Sequence, residues 1–168
     1  TRKGIFLTDS VLDIELQIDD PADEENYYTV EAFGVLYDSS GVFDVFDIYM
    51  YSLDANNENS QAGEESFQYQ TLLLPDLAFN GQKYTSKIRV SAGFVNWVYF
   101  EDETEIVRSD IVLVVRSASK DLYQYRKSYQ KYREYSFDPT FSQPIQVFSN
   151  VTDGFGIFGG YTEQVRQF

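Results

Sequence analysis

The chain contains neither cysteine nor histidine, and it has one methionine and one tryptophan among its 168 residues. Without histidine, the protein lacks the side chain that most often serves as a general base or a metal ligand near neutral pH. Without cysteine there is no disulfide, yet a chain of this length can bury about 70% of its unfolded surface and needs no such cross-link. The two absences therefore disfavour serine-type catalysis, but they do not identify a compartment.

Basic residues are missing from a long stretch, because Gly4 to Gln82 contains 17 acidic residues and no Lys or Arg. Between Arg116 and Tyr135 the balance reverses, with six basic residues against two acidic ones and a local net charge of +4. An acidic half repels phosphate groups, so we expect no nucleic-acid partner. We interpret the acidic stretch as a solvated surface.

Long apolar runs are also absent, and nothing approaches the roughly 18 consecutive apolar residues that predict a membrane-spanning helix. The chain opens at Thr1 within polar sequence. We interpret it as a processed product or a fragment, with any targeting segment upstream of Thr1.

Apolar and polar residues alternate along much of the chain, a pattern that predicts half-buried strands. Gly34 falls inside one of these strands and suggests a bulge or a close backbone crossing. Spacing and turn signals together predict a mainly β protein, a single antiparallel β-sandwich domain over residues 1–168, similar to immunoglobulin or fibronectin domains. We expect seven to nine strands, including segments at 12–18, 27–37, 42–53, 67–74, 84–94 and 111–115.

One segment has helical rather than strand periodicity. Leu122, Tyr125, Tyr129 and Tyr132 recur at spacings of three and four residues. This stripe predicts one α-helix near residues 120–135 that packs on the sheet through these four side chains.

The segment from Gly154 to Tyr161 alternates glycines with large apolar residues. We predict a structural role, with a positive φ at Gly154, with Ile157 inside, and with two of the three later glycines against a neighbouring backbone or ring. If the segment is instead an exposed, mobile loop with its aromatic side chains in water, it is the best candidate for a partner-binding surface.

Five short segments occur in an order that is typical of one family. They are Asp20-Pro21 with Asn26-Tyr27-Tyr28, then 76–81, then Leu122-Tyr123 with Tyr125 and Ser128, then Pro144 with 147–151, and finally 154–161. In this order they resemble the C-terminal half of the domain-of-unknown-function family forty-two forty-nine. The closing segment is the most specific part of the resemblance.

The resemblance implies an exported lipoprotein of Bacteroides-type bacteria, encoded beside TonB-dependent outer-membrane receptors. Members of that family usually have a lipidated N-terminal cysteine and an N-terminal β-rich half, which this sequence does not contain. The resemblance therefore implies an extracytoplasmic, outer-membrane-associated or cell-surface location, with a lipid anchor upstream as the only membrane contact. It also implies a non-catalytic accessory module, the C-terminal part of a longer lipoprotein, that works with a TonB-dependent receptor in nutrient uptake or surface assembly.

Two acidic regions are candidates for calcium. The first region has acidic or amide residues at several EF-hand ligand positions, but Asn59 stands where that loop needs glycine and strands flank it. We therefore predict no metal and no cofactor. The candidate ligands are Asp54, Asn56, Glu58, Ser60 and Glu65 in the first region, and Asp19, Asp20, Asp23, Glu24 and Glu25 in the second.

Two other functions remain as alternatives. Exposed aromatic rings can bind a glycan or a peptide, because each ring combines an apolar face with a polar edge or hydroxyl. A hydrolase with two facing carboxylates is the third possibility, and its signature is a closed cleft about 5 to 10 Å wide between the carboxylates. The candidate ligand-binding rings are Tyr49, Tyr51, Trp97, Tyr99 and Tyr123.

Overall fold

The computed structural model describes residues 11–22, 24–52, 71–75, 79–91, 108–136 and 145–168. The calcium candidates Asp23, Asp54, Asn56, Glu58, Ser60 and Glu65 and the rings Trp97 and Tyr99 lie outside these residues. The described elements are β1 (Val11–Asp19), β2 (Tyr27–Asp38), β3 (Gly41–Ile48), β4 (Met50–Ser52), β5 (Thr71–Pro75), β6 (Lys83–Ser91), β7 (Arg108–Ala118), α1 (Lys120–Ser136) and β8 (Tyr161–Gln167).

The strands form two antiparallel sheets. Strands β1, β6 and β4 make a three-stranded sheet in the order β1-β6-β4. The larger sheet has the order β3-β2-β7-β8, and β5 pairs with the first half of β2 while β3 pairs with its second half. The mainly β prediction, its antiparallel pairing and its single helix are confirmed in the part of the chain described.

The alternation in β1 and β6 arises because each strand turns one face to the core and the other to water. Ile14 and Ile18 of β1 are buried, and Ile88 and Val90 of β6 are completely buried. The outward residues form a ladder of opposite charges, in which the Arg89 guanidinium lies 2.7 Å from Asp13 and the Lys83 ammonium 3.7 Å from Asp19.

The main core lies between the two sheets. It is built from large aliphatic side chains and a few rings, because each strand contributes every second residue to this layer. Its members are Ile14, Ile18, Tyr28, Val30, Ala32, Ile48, Met50, Leu72, Leu74, Phe79, Tyr84, Ile88, Val90 and Leu113.

Gly34 does not form the bulge that its position suggests. The register of β2 against β3 shifts between Leu36 and Tyr37, whereas Gly34 is regularly paired with Phe46. A Cβ atom on Gly34 would lie 2.2 Å from the Phe46 ring. The glycine therefore leaves room for an aromatic ring on the neighbouring strand, so the close approach predicted here is to a side chain.

Helix α1 forms where the periodicity places it, but its predicted buried stripe is wrong. Tyr129 and Tyr132 are 44% and 47% exposed, whereas Tyr123 is only 3% exposed. Tyr123 packs with Tyr27 and Leu73 in a second core on the outer face of the larger sheet. The helix is thus rotated about its axis relative to the prediction. None of the described helices is long and apolar enough to cross a membrane.

The acidic turn after β1 is organised by Asp20, which is buried at 5% exposure. The Tyr28 hydroxyl donates to Asp20 Oδ1 at 2.5 Å, and the Gly81 amide donates to Asp20 Oδ2 at 3.0 Å. Gly81 has a φ of +71°, and a Cβ there would lie 2.6 Å from the Cβ of Ala22. The Asn80-Gly81 turn is therefore fastened to the end of β1 through Asp20.

Replacing Tyr28 with phenylalanine should lower the free energy of unfolding by about 1 to 3 kcal/mol, because it removes a donor from a buried carboxyl group. Urea unfolding measures the loss. The Tyr132→Phe variant is the matched control, since Tyr132 is 47% exposed and should change stability by less than about 0.5 kcal/mol. Equal effects of the two variants would show that the Asp20 contact is not stabilising.

Candidate binding surface

The structure describes three of the five rings predicted to bind a ligand, Tyr49, Tyr51 and Tyr123, and Tyr123 lies on a different element from the other two. Tyr123 is buried between α1 and the larger sheet, so it cannot contact a ligand, and its prediction as a ligand-binding ring is wrong. Tyr49 is half-buried where the chain passes from β3 to β4, and Tyr51 lies opposite Arg89 in the three-stranded sheet. The helix and the three-stranded sheet carry these rings on separate layers of the fold.

The second acidic region is divided among different contacts. Asp20 is bound by Tyr28 and Gly81, Asp19 pairs with Lys83, and the Glu25 carboxylate accepts a hydrogen bond from Lys120 at 3.2 Å. Within the described ranges, no group of three or more acidic residues is arranged to hold a metal ion.

The loop of residues 148–160, which includes most of the segment 154–161, contains no regular secondary structure but is held by two side chains near its start. The side chain of Asn150 accepts from the Phe158 amide and donates to the Phe158 carbonyl, both at 2.8 Å. The hydroxyl of Ser149 accepts from the amide of Gly156 at 3.2 Å. These bonds link residues seven and eight apart, so they fix the shape of the whole loop.

The same loop is attached to the first half of α1. Asn150 Nδ2 donates to the Asp121 carboxylate at 2.8 Å, and the Phe148 amide donates to the Ser128 hydroxyl at 2.8 Å. At the loop's end the Ser119 amide donates to the Gly160 carbonyl at 2.8 Å. The helix therefore serves as a platform on which the loop is mounted.

Two phenylalanines project from this fixed loop into water. Phe155 is 98% exposed and Phe158 is 89% exposed. Val151, which lies close to the backbone of Gly154 and Gly156, is also exposed. We call Val151, Phe155 and Phe158 the aromatic tip. Ile157, which was predicted to lie inside, is only half-buried between the two exposed phenylalanines.

The predicted structural role of these glycines is largely wrong. Only Gly159 is crowded, since a Cβ there would lie 2.8 Å from the Cβ of Leu122. Gly160 has open space around it, and Gly156 would meet only Val151 at 3.7 Å. Phe155 and Phe158 do lie in water, which is one part of the alternative prediction, but the hydrogen bonds of Ser149 and Asn150 differ from the mobile loop that it also required.

Gly154 does not have the predicted positive φ, which occurs instead at two neighbouring residues. Asp153 has a φ of +57° and Gly156 a φ of +150°. Asp tolerates the left-handed region better than most residues, and the φ of Gly156 is one that other residues rarely adopt. The turn therefore depends on Asp153 and on Gly156, between which Phe155 is held outward.

A row of tyrosines lies on the exposed side of α1. The rings of Tyr125 and Tyr129 are 5.9 Å apart at an interplanar angle of 8°, and those of Tyr129 and Tyr132 are 6.4 Å apart at 24°. These distances are typical of offset stacking. The rings therefore use part of their faces on one another.

Ionic contacts fasten the helix to the larger sheet. The Glu31 carboxylate on β2 bridges Arg116 on β7 and Arg126 on α1. Burial by itself raises the pKa of Glu31, but the two guanidinium groups outweigh it and hold the pKa below its ordinary value. At the helix start, the ammonium of Lys120 also lies 5.9 Å from the ring centre of Tyr27.

Comparison with known proteins identifies one family. A family model described as Domain of unknown function (DUF4249) matches residues 3–167. Neither the curated proteins nor the solved structures contain a significant match to the chain.

Proposed function

The chain belongs to the family described as Domain of unknown function (DUF4249), and from this premise we propose that it is a non-catalytic protein-binding module. Its binding surface is the aromatic tip. By the resemblance to exported lipoproteins, the partner is a TonB-dependent outer-membrane receptor, and the module works in nutrient uptake or surface assembly at the outer membrane.

The exposure of Phe155 and Phe158 is the observation that carries this proposal. Burying one phenylalanine side chain is worth about 1.5 to 3 kcal/mol, so two exposed rings forgo a large stabilisation in the free protein. Aromatic residues are enriched at the centres of protein interfaces, where they enter pockets of the partner.

The hydrogen bonds from Ser149 and Asn150 add a second argument. A loop that is ordered before binding loses little conformational entropy on association, so more of the contact energy appears as affinity. Ser149 bonds the loop backbone on either side of Phe155, at Gly154 and Gly156, and Asn150 bonds both backbone groups of Phe158. The segment thus has the geometry of a preorganised binding loop.

The double variant Phe155→Ser with Phe158→Ser should lose at least about 100-fold in affinity for the partner, as expected when two interface rings are removed. Its melting temperature should stay close to that of the wild type, because both rings are exposed. Affinity capture from native outer membranes, followed by quantitative mass spectrometry, identifies the partner, and titration of that partner measures the loss.

The matched control is the double variant Val42→Ser with Val45→Ser on β3. These valines are 62% and 54% exposed, but they lie on the opposite edge of the larger sheet from β8. The control should bind as the wild type does. Recovery of the same proteins at the same level by the phenylalanine double variant would refute the assignment of the aromatic tip.

Glycan binding is favoured by a single observation, the row of Tyr125, Tyr129 and Tyr132 on α1. Tyr129 and Tyr132 are exposed, and Tyr125 is half-buried. Sugar rings bind aromatic residues through their faces, and these faces are partly used in stacking within the row. A glycan array probed with the wild type and with Tyr129→Ala distinguishes this function, since only glycan binding predicts a signal that the variant loses.

A further inference from the structure

Strand β8 is the least covered strand of the larger sheet. Each of its seven residues is exposed, on both faces of the sheet. It pairs with β7 in continuous register from Ala118 opposite Tyr161 to Val112 opposite Gln167. Among the described residues, no strand pairs with its other side. A regular strand that is so exposed has an accessible edge, to which another strand can form backbone hydrogen bonds.

The hydrogen-bond pattern shows which backbone groups this edge offers. Ile111 and Phe168 exchange both of their bonds, at 3.1 and 2.8 Å. In an antiparallel ladder, hydrogen-bonded pairs alternate with pairs that are not hydrogen-bonded. The backbone groups of Arg166, Gln164 and Thr162 therefore also bond to β7. The N–H and C=O groups of the residues between them point to the open side. These residues are Tyr161, Glu163, Val165 and Gln167.

Natural proteins usually protect such edges with proline, lysine, a bulge or a covering segment. The sequence Tyr-Thr-Glu-Gln-Val-Arg-Gln of β8 contains no proline, lysine or glycine, and its register against β7 has no irregularity. Glu163 is the one charged residue among the four outward residues, and its charge is paired with Arg116, so these residues form a template for another strand.

We propose that the open edge of β8 binds an extended strand of a partner protein by β-strand addition. This inference rests on the proposed protein-binding function and specifies how the partner is held. Alternating donors and acceptors along an edge are complementary to the backbone of another strand. Tyr161 and Val165 lie on the same face, so the added strand carries aromatic or β-branched residues at the two positions opposite them.

A second copy of this chain is a poor occupant. Each copy has a net charge of −14, and like charge of this size opposes self-association. The edge itself is nearly neutral, since Glu163 contacts Arg116 and Arg166 is the other charged residue. A foreign strand meets no such repulsion from the edge.

The edge is continuous with the aromatic tip. Gly159 and Gly160 connect Phe158 to Tyr161, and three residues span at most about 10 Å. A strand added along β8 therefore ends within reach of Phe158. The edge supplies backbone bonds, and the tip supplies apolar contacts to the same partner.

Proline substitution tests the edge with a matched pair. Val165→Pro removes an outward N–H and leaves the bonds to β7 intact, so its Tm should stay within about 3 °C of the wild type. Gln164→Pro removes an inward N–H and should lower the Tm by about 6 °C or more. Val165→Thr keeps the outward N–H and the branched side chain as a control.

The probe is a library of displayed 12-residue peptides selected on the full chain. A selected peptide should slow amide hydrogen exchange at Tyr161, Glu163, Val165 and Gln167 by at least about tenfold, whereas the residues between them are protected already. Val165→Pro should weaken that peptide by at least about tenfold, the equivalent of one lost hydrogen bond, and Val165→Thr by less than about threefold.

Several outcomes overturn the inference. They are the absence of any selected binder, protection elsewhere than at the four outward amides, and undiminished binding by Val165→Pro. Protection of the free chain that increases with its concentration would assign the edge to a second copy and also overturn it. If Val165→Pro abolishes binding of the membrane partner while the phenylalanine double variant does not, the edge stands and the role of the aromatic tip fails.

Discussion

Replacing Tyr123 with alanine is expected to lower the free energy of unfolding by about 3 to 5 kcal/mol, the range measured for large buried aromatics. Tyr123 is 3% exposed, and its ring centre lies 4.9 Å from that of Tyr27. Leu73, completely buried, completes this cluster between the helix and the sheet. Truncation leaves a cavity that the paired strands below cannot close.

The control for this prediction is Tyr129→Ala on the same helix. Tyr129 is 44% exposed, so its truncation should cost less than about 1 kcal/mol. Both variants are measured by urea unfolding with a common slope. A larger loss for Tyr129 than for Tyr123 would mean that the helix faces the sheet through its tyrosine row after all.

The sequence predicted this helix but not its rotation. The spacing of Leu122, Tyr125, Tyr129 and Tyr132 fits helical periodicity, but tyrosine rings are stable both in a core and at a surface. The orientation is decided by long-range contacts of Tyr123 and Arg126 with β2. Periodicity within one segment carries no information about such partners.

The strands were easier to predict, because burial repeats every second residue whichever strand lies alongside. Ile14 and Ile18 of β1 and Ile88 and Val90 of β6 are buried as their alternation indicates. Strand pairing requires knowledge of the tertiary arrangement, so the order β3-β2-β7-β8 could not be derived from alternation.

The aromatic tip illustrates a further limit. Apolar residues are usually buried, and the structural role predicted for the segment from Gly154 to Tyr161 depended on that expectation. Glycines beside both residues were the signal to the contrary, because they leave a phenylalanine without adjacent side chains to cover it. A second signal was Asp153 at the turn, because an interior segment seldom contains a charged residue.

Replacing Glu31 with glutamine is expected to lower the free energy of unfolding by about 3 kcal/mol at pH 7. The Glu31 and Arg116 side chains are 14% exposed and that of Arg126 is 26% exposed. Glutamine keeps the size of the side chain but leaves two guanidinium groups close together without their common counter-charge. Breaking a buried ion pair by removing one partner typically costs about 3 to 5 kcal/mol.

The control is Glu163→Gln, which also removes a carboxylate bonded to Arg116. Its side chain is 43% exposed and its contact with Arg116 is 3.1 Å long. Solvent screens this pair, so the loss should stay below about 1 kcal/mol. Equal losses for the two variants would show that burial of the Glu31 cluster does not increase its contribution to the free energy of unfolding.

The pH dependence tests the same cluster independently. The folded-state pKa of Glu31 is lowered, because Arg126 and Arg116 outweigh the opposing effect of burial. Its ionised form therefore stabilises the fold fully above the unfolded pKa, about 4.3, and this contribution is lost as the pH falls through the lower folded pKa. The stability difference between wild type and Glu31→Gln should be largest at pH 6 to 7 and shrink steadily below about pH 4. A difference that stays constant or grows on acidification would mean that Glu31 is not held ionised by the two arginines.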